Sequence, residues 1–157
     1  MKSWPQALRD GAVSGSLGSA LSTVMLSACG EHEADAPLAP TNAISHWVWG
    51  DRALVHDEAS LSHTLLGYAI HHGASTLWAV VYEKWFGEDA ERKALAPAVA
   101  GGFAVAALAC FVDYQLTPHR LRPGYEHHLS KRSLFLVYAS LGIALPIRGY
   151  LAADQDK

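Results

Sequence analysis

The side chains best suited to chemistry are histidines and carboxylates that gather toward one end of the predicted helices. The chain of 157 residues contains nine histidines. At the helical rise of about 1.5 Å per residue, His63 and Asp113 lie at similar depth in their helices, toward the same membrane face. A contact between this imidazole and this carboxylate is geometrically feasible. A carboxylate within a membrane span usually faces the helix bundle and has a partner there.

The connection that follows Asp113 adds more nitrogen and oxygen ligands beside this pair. Histidine and carboxylate together suit zinc, iron or copper, and a shared site can also relay protons. The spacing matches neither an HExxH motif nor a pair of ExxH repeats. The hypothesis of a transition-metal site at this face comprises six residues: His63, Asp113, His119, Glu126, His127 and His128.

A structural role for the same residues is the favoured alternative. Histidines near a bilayer surface often hydrogen-bond to the backbone or to lipid headgroups. Arg120 and Arg122 are suited to hold lipid phosphates, and Asp113 can pair with either arginine and fix the loop.

Two further histidines, His71 and His72, fall at the middle of their predicted span. Axial imidazoles on facing helices are typical of b-type haem. No other predicted span carries a histidine at matching depth, which disfavours haem. We predict instead that one of the two hydrogen-bonds across the bundle to a serine or tyrosine, with Ser22 and Tyr138 as candidates.

Composition and charge distribution point to the membrane. Half of the residues are hydrophobic and 17% are charged, and long stretches carry no charge at all. The net charge of −3, without a basic stripe, argues against a nucleic-acid partner. No nucleophile elbow, phosphate loop or dinucleotide fingerprint occurs, so nothing indicates an enzyme. Cys29 and Cys110 are predicted to pack as small hydrophobic residues.

The apolar segments predict an all-α fold, a single membrane domain over residues 1–157 with about four transmembrane helices. A span needs roughly 20 mostly apolar residues. The segment 94–116 is the clearest, and 133–151 is extended by Arg148, which can reach the headgroups. The segment 61–86 has a polar row that would face the bundle and an aromatic end typical of an interface. The four predicted spans are 11–28, 61–86, 94–116 and 133–151.

The first span has two interpretations. Its small residues form two rows at four-residue spacing, which allows helices to approach closely in lipid, and this predicts a helix buried in the bundle. Residues 26–29, Leu-Ser-Ala-Cys, resemble instead the lipobox of a bacterial lipoprotein, in which case the segment is cleaved and Cys29 is lipidated. The Gly- and Ser-rich composition favours the span. The two rows are Gly11, Gly15 and Ser19, and Ser14, Gly18 and Ser22.

The long connection between the first two spans contains a candidate interfacial helix. Thr41 or Asn42 can cap a helix that Gly50 ends. With Trp47 and Trp49, the segment is predicted to lie in the membrane interface and not to cross it.

The distribution of basic residues predicts both termini on the cytoplasmic side by the positive-inside rule. On the side of the termini lie Lys2, Arg9, Lys84, Arg92, Lys93, Arg148 and Lys157. On the other side lie Arg52, Arg120, Arg122, Lys131 and Arg132.

Residues 39–51 and 113–130 resemble recurring segments of a family of small, uncharacterised four-helix inner-membrane proteins of proteobacteria. The resemblance implies a four-helix membrane fold in a bacterial inner membrane, and it brings no catalytic residue. We therefore predict a multi-pass membrane protein with a structural or accessory role, which binds lipid or another membrane subunit. The alternatives are a metal-binding or redox protein and a small proton-coupled transporter.

Overall fold

The computed structural model describes residues 1–153, and this part of the chain is helical throughout, with no strand. The α-helices are α1 Trp4–Ala34, α2 Ala39–Ile44, α3 His46–Trp49, α4 Leu66–Trp85, α5 Gly87–Glu91, α6 Leu95–Phe111, α7 Lys131–Ala144 and α8 Ile147–Ala152. A π-helical turn, Leu61–Leu65, leads into α4, and another, Val112–Leu116, ends α6. Short 3-10 helices fill the connections: Gly50–Val55, His119–Leu121 and Tyr125–His127. The all-α prediction is confirmed.

The long first helix has clear start and stop signals. The Ser3 hydroxyl accepts a hydrogen bond from the Gln6 backbone N–H, and the Gln6 side-chain oxygen accepts one from the Ser3 backbone N–H, which forms a capping box. Asp35 ends the helix in the left-handed conformation, with φ of 54°. At about 1.5 Å per residue, the 31 residues extend roughly 46 Å, longer than the ~30 Å hydrocarbon core of a bilayer. The helix therefore extends well beyond the predicted span 11–28.

The four long helices α1, α4, α6 and α7 form a bundle in which neighbours along the chain run in opposite directions. At one end, the Lys2 amide donates to the Lys84 carbonyl, which joins the start of α1 to the end of α4. At the other end, the Glu33 carboxylate accepts hydrogen bonds from Ser130 and Ser133, which joins the end of α1 to the start of α7. We call these the terminal end and the histidine-rich end of the bundle.

The bundle buries many small and polar residues and leaves many large apolar residues on its outside. In α1 the buried side consists mostly of glycine and serine, with Leu26 as its one large apolar residue, whereas other large apolar side chains point outward. The same holds for α6, where Phe103 and Phe111 are exposed and Ala98, Ala106 and Ala109 are buried. A bundle folded in water would bury its large apolar residues. The exposed apolar residues of α1 are Leu8, Val13, Leu21 and Val24.

Three helices are long and apolar enough to cross a membrane: Trp4–Ala34, Leu95–Leu116 and Lys131–Ala152. They correspond to the predicted first, third and fourth spans. The fourth long helix, α4 with its π-helical turn, is less apolar because it carries His71, His72, Glu83 and Lys84. Its crossing of the membrane stays a prediction, as does the count of four.

The two small-residue rows of α1 are packed as predicted: all six of their residues are buried. A methyl group added at Gly15 would lie 2.5 Å from the Thr76 Cα atom, and one added at Gly11 would lie 2.6 Å from Val80 Cγ2. The absence of side chains at these glycines brings the backbones of α1 and α4 together.

The predicted interfacial helix over residues 41–50 is two short helices, and the first packs inside the protein. Every residue of α2 is buried, whereas Trp47 and Trp49 of α3 are partly exposed. Gly50 ends the segment, as predicted. Asn42 does not cap the helix. Its amide nitrogen donates to the carbonyls of His56 and Glu58, and its oxygen accepts from Thr64, so it ties this connection to the start of α4.

Cys29 is buried in the core and Cys110 packs against the same core, and both thiols are free. Lys157, one of the basic residues that predict the membrane side of the termini, lies outside the described residues.

Candidate functional site

A groove of about 630 Å³ lies between α6 and α7, on the outside of the bundle. Both helices belong to segments that are long and apolar enough to cross a membrane. We call this the lateral groove. Its lining is apolar apart from one end, and it consists of Phe103, Ala106, Ala107, Cys110, Tyr114, Glu126, Leu129, Lys131, Leu134, Phe135, Tyr138 and Ala139.

Alanines make room for the groove, and exposed phenylalanines border it. Ala107 and Ala139 line it from the two sides, whereas Phe103 and Phe135 are 40% and 69% exposed. From Phe103 to Tyr114 the groove follows α6 for roughly 16 Å at the helical rise per residue. That is about half of the ~30 Å hydrocarbon core, the depth of one leaflet.

The polar residues of the groove lie at the histidine-rich end. Lys131 begins α7, and Glu126 lies in the connection just before it. Glu126 Oε2 accepts a hydrogen bond of 2.7 Å from the Gly124 amide and a long one of 3.5 Å from the Tyr114 hydroxyl. The groove is therefore amphipathic, with charges at the bundle end and an apolar channel toward its middle.

A chain of hydrogen bonds leads from the tyrosines to Asp113. The Tyr125 hydroxyl donates to the Tyr138 hydroxyl at 3.0 Å, and the Tyr138 hydroxyl donates to Asp113 Oδ2 at 2.6 Å. Burial raises the pKa of Tyr125 well above its ordinary value, and the nearby Tyr114 and Asp113 add to the shift, so its hydroxyl stays protonated. Asp113 thus has the bundle-facing partner that its position in a span predicted. That partner is Tyr138 and not His63.

A small cavity of about 70 Å³ lies beside these hydrogen bonds, and α4 lines it together with the connections that hold Trp47 and Tyr125. His71 and Ser75 of α4 line it together with Asp113, Tyr125 and Tyr138. A cavity of this size with several polar groups has room for water.

The two adjacent histidines of α4, His71 and His72, hydrogen-bond to serines of α1. Ser22 Oγ lies 2.8 Å from His71 Nε2, and Ser19 Oγ lies 2.8 Å from His72 Nδ1. Ser22, one of the two candidate partners predicted for these histidines, thus binds His71. Tyr138, the other candidate partner, binds Asp113 instead.

The six residues of the metal hypothesis are distributed over several places at the histidine-rich end. His119, Glu126 and His127 line one depression of about 200 Å³ together with His46 and Asp51. His63 stacks on His56 with ring centroids 4.0 Å apart and hydrogen-bonds to Ser60 and Ser62. His128 Nε2 is buried without a hydrogen-bonding partner among the described residues. The metal site stays a prediction, which elemental analysis of the purified protein would test.

The arginines of the same loop differ in their surroundings. The Arg122 guanidinium donates to the Tyr114 carbonyl, and the Arg122 carbonyl accepts a hydrogen bond from the Trp47 indole. Arg122 therefore fixes the loop through the backbone of Tyr114 and not through the Asp113 carboxylate. Arg120 is exposed beside the depression that contains His119. Binding of lipid phosphates by either arginine stays a prediction.

The terminal end holds a second polar site, which the sequence analysis missed. Glu83 Oε2 accepts a hydrogen bond of 2.6 Å from Lys2 Nζ, and Glu83 Oε1 accepts one of 3.0 Å from Arg148 Nε and another from Ser14. Glu83 is 1% exposed. The site, which we call the charge cluster, joins α1, α4, α5 and α8 and consists of Lys2, Asp10, Glu83, Glu91 and Arg148.

The three carboxylates of the charge cluster are close enough to hold a metal, with one ligand atom of each within 4.8 Å of the others. Among residues 1–153, this is the one such group of three or more potential ligands. Its carboxylates already bind cations of the protein: Lys2 Nζ lies 2.8, 2.6 and 2.7 Å from Asp10, Glu83 and Glu91. Arg148 binds the same three residues. A metal would have to displace an ammonium, so we interpret the cluster as structural.

Two members of the charge cluster lie outside the membrane-crossing segments, and their pKa values shift in opposite directions. Burial lowers the pKa of the Lys2 ammonium, but hydrogen bonds to Asp10, Glu83 and Glu91 outweigh this effect and hold the pKa above its ordinary value. Burial raises the pKa of Glu91, but hydrogen bonds from Lys2 and Arg148 outweigh this effect and hold the pKa below its ordinary value.

We expect stability to fall at both extremes of pH. A carboxylate with a lowered pKa stabilises the fold above its unfolded pKa, and this contribution is lost as pH falls through the folded value. An ammonium with a raised pKa stabilises the fold below its unfolded pKa, and this is lost as pH rises through the folded value. The free energy of unfolding should therefore fall below about pH 4.5 as Glu91 is protonated, which we call the acid limb of the stability curve. It should also fall above about pH 10.5 as Lys2 loses its proton, which is the alkaline limb. Thermal unfolding in detergent across pH measures both limbs.

The variant Glu91→Gln should flatten the acid limb, because glutamine does not titrate. Glu31→Gln is the matched control, since Glu31 is exposed near the opposite end of α1. An acid limb of the same slope in Glu91→Gln and in the unsubstituted protein would contradict the assignment.

Comparisons of the chain with protein-family models, with curated proteins and with solved structures gave no match. The fold and the geometry of its sites therefore carry the functional argument.

Proposed function

We propose that this protein is a multi-pass protein of the bacterial inner membrane that binds a membrane lipid in the lateral groove. The observation that carries the proposal is the groove itself, an apolar channel of one-leaflet depth on the outside of two helices that are apolar enough to cross a membrane. A lipid acyl chain fits the channel, and a headgroup fits its charged end. An accessory role, in which the bound lipid joins this bundle to another membrane subunit, agrees with the apolar outer surfaces of the helices.

Four spans are part of the proposal. The alternating directions of the four long helices support a crossing by α4, whose polar residues are paired within the bundle: His71 and His72 bind serines, and Glu83 binds two cations. Such pairing lowers the cost of placing polar side chains in a membrane. Both termini then lie on one side, which the basic residues suggest is the cytoplasm. Reporter domains fused to the C-terminus and inserted into the connection before α4 would test this orientation.

We also propose that the first helix is retained and not removed as a lipoprotein signal. The support is its packing: cleavage at Cys29 would remove Lys2 and Asp10 from the charge cluster and the serine partners of His71 and His72. The intact mass of the purified protein distinguishes a full-length chain from one that begins at a lipidated Cys29.

Filling the groove should abolish lipid binding. We expect Ala107→Trp to reduce the amount of co-purifying lipid about tenfold or more, because the indole occupies the channel that the acyl chain needs. Native mass spectrometry of the detergent-purified protein measures the lipid that remains bound. Ala104→Trp is the matched control, since Ala104 is an exposed alanine of the same helix and does not line the groove.

Equal amounts of bound lipid in Ala107→Trp and Ala104→Trp would contradict the assignment of the groove. Thermal unfolding of both variants in detergent shows whether each is folded as well as the unsubstituted protein.

A small proton-coupled transporter is the second candidate function, and the small cavity beside His71 favours it. Transporters bind their substrates in polar cavities near the middle of the membrane, where helices are irregular. The π-helical turns, which are frequent at functional sites, lie instead at the histidine-rich end, at the start of α4 and the end of α6. Proton uptake by proteoliposomes, measured with an enclosed pH-sensitive dye, should then occur and be lost in His71→Gln. No uptake above that of empty liposomes would exclude this function.

A further inference from the structure

The charged end of the lateral groove presents two opposite charges that are not paired with each other. Lys131 and Glu126 both line the groove. Within residues 1–153, no ion pair joins them, and the Lys131 ammonium has no hydrogen-bonding partner. Both hydrogen bonds of Glu126 end on Oε2, which leaves Oε1 for a ligand. A ligand at this end meets one cation and one anion at separate positions.

We propose that the groove selects a phospholipid with an ethanolamine headgroup. This inference rests on the proposed function, since it names the lipid that the groove binds. The phosphate of such a headgroup carries a negative charge and matches Lys131, and its primary ammonium carries a positive charge and matches Glu126. The ammonium also has N–H groups that can donate charge-assisted hydrogen bonds to a carboxylate.

Other common headgroups match only half of this arrangement. A glycerol headgroup has the phosphate but no cation, so the Glu126 carboxylate faces it without a partner and repels its negative charge. A choline headgroup has the right charges, but its quaternary nitrogen has no N–H to donate. Hydrogen bonds to charged groups contribute more than neutral ones, so the loss of one is expected to weaken binding about tenfold.

Native mass spectrometry with added lipids tests the proposal. The full-length protein in detergent is titrated in turn with phosphatidylethanolamine, phosphatidylcholine and phosphatidylglycerol that carry identical acyl chains. We expect the ethanolamine lipid to bind about tenfold more tightly than each of the other two. In Glu126→Gln the advantage over the choline lipid should shrink severalfold, whereas Glu58→Gln, an exposed residue outside the groove, should keep it.

The outcomes separate this inference from the proposed function. If all three lipids bind equally well and Ala107→Trp blocks all of them, the groove binds lipid but the headgroup proposal is wrong. If none of the lipids binds, or if Ala107→Trp has no effect, the proposed function fails as well. Tighter binding of the glycerol lipid would overturn the role of Glu126. The ranking in the unsubstituted protein decides the question even if a Glu126 variant does not fold.

Discussion

Replacement of Glu83 by glutamine is expected to destabilise the bundle by about 3–5 kcal/mol, the usual cost of removing one partner from a buried ion pair. Glu83 is the most buried carboxylate of the charge cluster and binds both of its cations. Without this carboxylate, Lys2 and Arg148 lose the most buried partner that they share, and only Asp10 and Glu91 remain to bind them. The amide NH2 group of glutamine also donates hydrogen bonds, and it would face the donors of both cations without an acceptor. Thermal or denaturant unfolding in detergent measures the loss, which should appear as a large decrease in Tm.

Glu88→Gln is the matched control for this substitution. Glu88 is partly exposed at the same end of the bundle and pairs with two exposed groups, Arg92 and the amino terminus. Exposed ion pairs contribute little to stability, so its loss should change Tm only slightly. Equal small effects of Glu83→Gln and Glu88→Gln would show that the charge cluster does not hold this end of the bundle together.

Gly15→Ala should destabilise the protein by about 1–3 kcal/mol, the usual cost of adding volume to a closely packed contact. The added methyl group would lie 2.5 Å from the Thr76 Cα atom and 2.7 Å from its Oγ1 atom. The methyl group meets backbone, which cannot rotate away as a flexible side chain can. The helices α1 and α4 must therefore move apart, which weakens the hydrogen bonds between their serines and histidines.

The control for Gly15→Ala is Gly73→Ala, at a glycine of α4 that has open space around it. No atom lies within 4 Å of an added methyl group at Gly73. Since alanine favours the helix more than glycine does, Tm should stay the same or rise slightly. A similar decrease in Tm in both variants would mean that the close contact between α1 and α4 at Gly15 does not explain the effect.

Much of the fold could be predicted from the sequence because membrane spans leave a strong signal. Length and apolar composition identified α6 and α7, and the spacing of Gly11, Gly15 and Ser19 identified the buried face of α1. The short helices were harder to predict. Thr41 and Asn42 have good capping residue types, but the helix begins earlier, and Asn42 is used to hold a distant loop.

The charge cluster could not be predicted because its members are far apart in the sequence. Lys2 and Glu83 are separated by 81 residues, and each lies near the end of an apolar segment. A charge in such a position usually marks the membrane surface. One signal was available: Asp10 and Glu83 lie just inside helices, where an unpaired carboxylate is costly and a partner should be expected.

The lateral groove could not be predicted either, because it depends on how α6 and α7 pack. Alanine is common in both helices, and the sequence does not show which alanines face each other across a gap. The histidine-rich end was recognised from the sequence, with a structural role favoured and a metal site as the alternative. In the structure Asp113 binds Tyr138, and Glu126 lies at the charged end of the groove.

Extraction of the full-length chain from its membranes tests most directly whether this is an integral membrane protein. In an integral membrane protein, the large apolar side chains on the outside of α1, α6 and α7 face lipid. We expect the protein to remain in the membrane pellet after washing with alkaline carbonate and to be released only by detergent. Release by carbonate, or a folded protein that is soluble without detergent, would contradict it.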